Sequence, residues 1–171
     1  MDHETPLAEP RIDLKASMRV VDHAVRVPGS ELAPPVITYV MDAPASDRWI
    51  LVKPYTYVDG EHRIRIPAGF TFDLASVPRA LWSIIAPFEL SIVAPLLHDF
   101  LYRHGGAPPL KTVRPYRTWT RAEADRLFRD VMAREGVSWW RRWAAYSAVR
   151  AFGAGSWQGS GGVPKEALTP A

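Results

Sequence analysis

A chain of 171 residues with 21 basic and 18 acidic side chains suits one domain with a core of its own, only mildly basic overall. The absence of cysteine excludes disulfides and thiolate metal sites. No apolar run approaches the roughly 18 residues that a membrane span needs, and the acidic, polar opening Met1-Asp2-His3-Glu4 does not read as a secretory signal.

Sixteen prolines and eleven glycines cut the chain into short elements. Residues 1–34 read as a polar arm, partly disordered, with one strand at Ser17-Met-Arg-Val-Val. From Val36 the grammar is β: Val36-Ile-Thr-Tyr-Val-Met and Trp49-Ile-Leu-Val-Lys are runs of β-branched and aromatic residues. Tyr55-Thr-Tyr-Val and His62-Arg-Ile-Arg-Ile flank Asp59-Gly60, a hairpin signal. In the second arm Ile64 and Ile66 alternate with Arg63 and Arg65, which predicts one buried and one wet face.

After Gly69 the pattern turns helical. Ser76 is expected to cap a short helix to about Ile85, with Pro78 in its first turn. Pro95 is placed in the first turn of a second helix that carries His98, Asp99 and Tyr102 and ends at Gly105-Gly106. A proline-rich loop covers 107–119. Thr120-Arg-Ala-Glu123 is a capping box, and Ala124, Leu127, Phe128, Val131 and Met132 form the apolar stripe of the helix it opens, which Gly136 ends. Ser138 is expected to cap a last helix, Trp139 to Phe152, whose Ala144, Ala145, Ala148 and Ala151 permit close packing. The fold class is therefore α+β: a small antiparallel sheet in the N-terminal half, then a bundle of three to four helices. The domain spans 35–153, and 154–171 is expected to be a disordered tail.

His98-Asp99 lies within the apolar stretch Ser91-Ile-Val-Ala-Pro-Leu-Leu-His-Asp-Phe-Leu-Tyr. Burying an imidazole and a carboxylate costs several kcal/mol unless each finds a partner, so the pair marks either a satisfied network or a site of chemistry. On a helix Tyr102 stands one turn from both. Asp125, flanking the stripe of the next long helix, can reach a ring nitrogen of His98 across a helix–helix interface. A histidine oriented by a second carboxylate serves as a general base for water, leaving Asp99 to bind a hard cation, with Asp73 of Gly69-Phe-Thr-Phe-Asp73-Leu-Ala-Ser76 as a second oxygen donor. The plainer alternative makes His98 a core histidine, pairs Asp99 with Arg103 and Asp125 with Arg121 or Arg129, and has Asp73 and Ser76 shape a turn. The arginine clusters around 114–121 and at Arg141/Arg142 read as solvated faces paired to Glu123, Asp130 and Glu135. The seven tryptophans, among them Trp139, Trp140 and Trp143, point to a core or an interface, and their mixture with arginine also suits a membrane surface. No nucleotide-binding motif and no H-E-x-x-H is present, so a nucleotide is not expected and nucleic acid has no motif to support it.

The succession Gly69-Phe70-x-x-Asp73-x-Ala75-Ser76-x-Pro78, Leu97-His98-Asp99-x-x-Tyr102 and Arg121-x-x-Ala124-Asp125-x-x-Phe128 resembles a family of tailed bacteriophages, prophages and related particles, catalogued as domain of unknown function 1353. That resemblance implies a phage-derived setting, in the bacterial cytoplasm or a phage particle, and supplies no reaction. More loosely, His98-Asp99-x-x-Tyr102 with a later helical aspartate resembles the active-site helices of phospholipase A2. Carried over, this makes His98 the base, Asp99 the calcium ligand, and Tyr102 and Asp125 the groups that hold the histidine. The glycine-rich calcium loop of those enzymes has no counterpart here, and their cysteines are missing. Two functions follow as expectations. One is a hydrolase assisted by a divalent cation, calcium or zinc, acting on a cell-envelope component; the other is a non-enzymatic virion or assembly protein whose His-Asp-Tyr cluster only ties helices together.

Overall fold

The computed structural model describes residues 31–39, 49–72 and 92–158. The expected strand near residue 17, the short helix after Ser76, and Asp73 and Ser76 themselves lie outside the described residues.

The β-rich half forms two small antiparallel sheets rather than one. In the first, β1 (Ile37–Tyr39), β2 (Trp49–Leu51) and β5 (Thr71–Phe72) lie in the order β1-β2-β5, with Ile37 opposite Leu51 and Trp49 opposite Phe72. In the second, the hairpin β3 (Tyr55–Asp59) and β4 (His62–Ile66) is joined by β6 (Val113–Arg114). Asp59 pairs with His62, so the two loop residues are Gly60 and Glu61, one step later than the Asp-Gly signal suggested. Gly60 takes φ +58, and no non-glycine among the described residues has positive φ, which suits a turn with glycine at its first central position. Ile64 and Ile66 are fully buried while Arg63 and Arg65 face solvent, as the alternation predicts. β6 was not expected: it arises inside the proline-rich 107–119 segment, right after a 3-10 turn at Leu110–Thr112.

Three helices follow among the described residues: α1 (Val93–Arg103), α2 (Arg121–Arg134) and α3 (Trp139–Phe152). α2 opens on the predicted capping box, with both reciprocal bonds of Thr120 and Glu123 formed, and all five residues of its stripe are buried. α3 begins after Ser138, but the serine side chain makes no capping hydrogen bond. Its buried residues are Ala145, Ala148 and Val149, small enough for α3 to lie close against α2. α1 starts at a residue with no side-chain cap of its own, Ile92; the Glu135 carboxylate at the end of α2 instead accepts the N–H groups of Ile92 (3.3 Å), Val93 (3.2 Å) and Ala94 (3.3 Å). Glu135 is thus a buried cap, not the surface ion-pair partner its sequence position suggests. The other two expected acids do pair at the surface, Glu123 with Arg117 and Asp130 with Arg129.

Residues 154–158, expected in the disordered tail, complete a 3-10 turn and return the chain to α1: Trp157 sets its ring edge-on to Tyr102 at 4.9 Å, and Gln158 N–H bonds the Tyr102 carbonyl. No described helix is long and apolar enough to cross a membrane.

Candidate functional site

α1 is buried almost all round, so its polar residues must be satisfied from neighbouring helices. One turn apart, His98 and Tyr102 project from it together toward Asp125 of α2. Asp125 is fully buried; its Oδ1 lies 3.1 Å from His98 Nε2 and accepts the Tyr102 hydroxyl at 2.6 Å. Its Oδ2 accepts Arg150 Nη1 of α3 at 2.7 Å, so one carboxylate ties all three helices. The predicted meeting of His98, Tyr102 and Asp125 is present. The expected arginine partners Arg121 and Arg129 are replaced by Arg150: Arg121 bonds the Arg150 carbonyl and Arg129 pairs with Asp130.

The electrostatics follow from these contacts. Burial pushes the Asp125 carboxyl up, but donors from His98, Tyr102 and Arg150 outweigh it and hold the group below the usual carboxylate range. Burial pulls the His98 imidazole down, and the Asp125 and Asp99 carboxylates more than reverse this, leaving it above its ordinary value. Burial and the Asp125 charge push the Tyr102 phenol up, so it stays a donor. An ionised Asp125 only accepts, hence Nε2 of His98 carries a proton. In the neutral ring the lone pair is then on Nδ1, which faces Asp99 Oδ1 at 3.9 Å, too far for a direct hydrogen bond. The ring itself is clasped by Tyr102 (centroids 4.0 Å apart) and Phe128 (4.9 Å), and His98 is only 4% exposed.

Asp99 is buried on the Nδ1 side of this cluster. Arg103, its expected partner one turn on, donates to Thr71 Oγ1 at 2.9 Å and stacks over Phe70. A hard cation takes six to eight oxygens. Among the described residues no group of three or more His, Asp or Glu side chains is placed to hold a metal, so these residues alone do not make up a cation site. An open depression of about 350 Å³ lies next to the cluster, walled by Trp119, Arg121, Glu123 and Trp157 and not by His98, Asp99 or Asp125. Trp157, one of its walls, sets its ring against Tyr102, and Gly153 comes so close to that phenol that a Cβ would sit 2.7 Å from its hydroxyl.

Arg150 and Gly153 were missed in the sequence. Neither carries a motif; an arginine on an alanine-rich helix reads as surface, and a glycine after a helix reads as its end.

The family model described as protein of unknown function (DUF1353) matches residues 49–149, more than half of the chain. The chain belongs to that family. The matched stretch runs from β2 through nearly all of α3 and so contains His98, Asp99, Tyr102 and Asp125, with Arg150 one residue beyond it. No curated protein and no solved structure matches the chain.

Proposed function

We propose that this chain is a phage-associated hydrolase that cleaves an acyl bond of a cell-envelope component, with His98 as general base and Asp125 and Tyr102 as the groups that orient it. The observation that carries the reading is the placing of the His98 ring between two carboxylates: Nε2 lies 3.1 Å from Asp125 Oδ1, and Nδ1, which bears the lone pair whenever the ring is neutral, faces Asp99 Oδ1 at 3.9 Å. Nδ1 would take a proton from water as the water oxygen attacks the acyl carbon, and the imidazolium would return that proton to the departing alcohol or amine. Asp125 would hold the tautomer and balance the imidazolium charge. The envelope substrate, a phospholipid ester or a peptidoglycan bond, rests on the resemblance to phage proteins and to the phospholipase A2 helix. Because the described residues do not complete a cation site, no step is assigned to calcium or zinc; Asp99 and Asp73 are the carboxylates such an ion would use.

One observation favours the plainer reading, in which the cluster only fastens helices: His98 is sealed under two rings. The readings separate in one assay. The full chain is incubated with phosphatidylglycerol vesicles and with peptidoglycan, in calcium, in zinc and in chelator. The hydrolase reading expects turnover that rises with pH through the raised His98 pKa and falls about 100-fold or more in His98→Gln while the fold persists. Absence of turnover on both substrates under all three conditions, or full activity in His98→Gln, leaves the structural reading.

A further inference from the structure

We propose that the solvent face of the second sheet docks the protein on duplex nucleic acid through phosphate contacts. Directly opposite residues of a sheet share a face, so the register sets Arg63 beside Arg114, with Arg65 two positions along β4 and Thr56 and Val58 on β3. All five are exposed, while Tyr57, Ile64 and Val113 between them are buried. The Cα atoms of Arg63 and Arg114 are about 5 Å apart, and Arg65 stands roughly 7 Å along its strand from Arg63. Like charges in direct opposition destabilise a sheet. Among the described residues no side-chain hydrogen bond, ion pair or ring contact engages any of the three arginines. The neighbouring acids lie elsewhere: Asp59 alternates to the other face, opposite His62, and Glu61 sits in the turn 3.7 Å from His62. The chain as a whole carries a net charge of only +3, so this is a local concentration of charge.

The chemistry of the face selects the occupant. An unpaired guanidinium offers a planar fork of donors that fits phosphate oxygens bidentately. A duplex presents about one negative charge per 1.7 Å of its axis, so several phosphates fall within the span of the three arginines and relieve the Arg63–Arg114 repulsion. These five residues include no aromatic ring, and so lack the stacking platform on which binding of a single strand relies. Val58, 48% exposed, is the one large apolar side chain among them. Stable attachment to a bilayer needs an apolar anchor besides a basic patch, and a protein interface needs an apolar core; one valine furnishes neither. A three-stranded face is broader than the helix or two-stranded ribbon that enters a major groove, so the contact is to the backbone and independent of sequence.

This proposal stands on residues outside the His98 cluster and does not depend on hydrolysis. Binding of the full chain to a fluorescent duplex is followed by anisotropy as salt is raised. Three neutralised phosphates, each releasing about 0.9 counterion, give a log–log slope of about −2.7, a loss of affinity of about 40-fold over a fourfold rise in salt. Two duplexes of unrelated sequence should bind within about threefold of each other. Arg114→Gln should lessen the slope by about 0.9, whereas Arg126→Gln, which removes a charge from the exposed side of α2, should leave it unchanged. R63Q/R65Q/R114Q should abolish the salt-dependent binding and keep the urea midpoint of the free protein at or above that of the wild type, because a repulsion is removed. Absence of duplex binding at the lowest salt overturns the proposal, as does a wild-type slope near zero, an equal effect of Arg114→Gln and Arg126→Gln, or unchanged binding in the triple variant. Tighter binding to a single strand, to phosphatidylglycerol vesicles or to polyglutamate overturns it in favour of stacking, a membrane or an acidic protein partner respectively.

Discussion

Asp125 brings a buried carboxylate with about four acceptor positions to a place where it meets three donors from three side chains: the His98 ring, the Tyr102 phenol and the Arg150 guanidinium. Removing one partner from such a network leaves the others desolvated and unpaired, at a cost of about 3 kcal/mol or more for a buried charged group. Asp125→Ala is therefore expected to lower the unfolding free energy by that order, measured by urea denaturation at pH 7. The sign of its pH dependence is fixed by the shifts. The lowered Asp125 pKa contributes stability that is present above its unfolded value and lost as pH falls through the folded one. The raised His98 pKa contributes stability that is fully present below its unfolded value of about 6.5 and lost as pH rises through the folded value. The cost of His98→Gln should thus shrink on the alkaline side; a cost that grows with pH would refute the assigned pairing. At this scale the sequence was legible where spacing decides contact. Tyr102 follows His98 by one turn and Asp125 borders an apolar stripe, whereas Arg150 enters from a helix whose register against the others no local pattern reveals.

Helix ends show the same division between local and distant causes. The capping box of α2 spans four consecutive residues, and it formed as read. The start of α1 has no such signature because its cap is 41 to 43 residues away along the chain, in Glu135. Burial pushes that carboxyl up, the three α1 amides draw it back only in part, and it settles at about 7. Folding therefore favours the protonated acid. The contribution is complete below about pH 4.5 and is lost as pH rises to about 7, an amount of the order of 3 kcal/mol for a shift of this size. Glu135→Gln keeps one acceptor oxygen for the amides and cannot titrate. We expect it to flatten the fall in unfolding free energy between pH 5 and 7.5, measured by denaturation at a series of pH values. An unchanged slope would show that Glu135 is ionised throughout, with the amides and helix dipole outweighing burial.

Across the whole molecule the two sheets and three helices share one core. Leu51 and Phe72 from the first sheet and Ile64 and Ile66 from the second join Leu97, Phe100, Val131 and Met132 in a single cluster of buried side chains. The α+β class was legible because hydrophobic periodicity changes sharply after Gly69. The split into two sheets was not, since strand partners are chosen by contacts such as Ile64 opposite Val113, far apart in sequence. Arg134 reinforces the join between the halves: at the end of α2 it donates to the Tyr57 hydroxyl (2.8 Å) and the Val58 carbonyl (3.1 Å), and stacks over the Tyr57 ring. A continuous core with such a clamp should unfold in one step. Far-UV circular dichroism and tryptophan fluorescence are expected to report the same urea midpoint. Arg134→Lys keeps the charge but loses the planar fork, and should move both midpoints down together by the equivalent of about 1 kcal/mol. Separate midpoints in the wild type would mean that the sheets and helices are stabilised independently, and a shift confined to one probe in Arg134→Lys would mean that the clamp serves only its own strand.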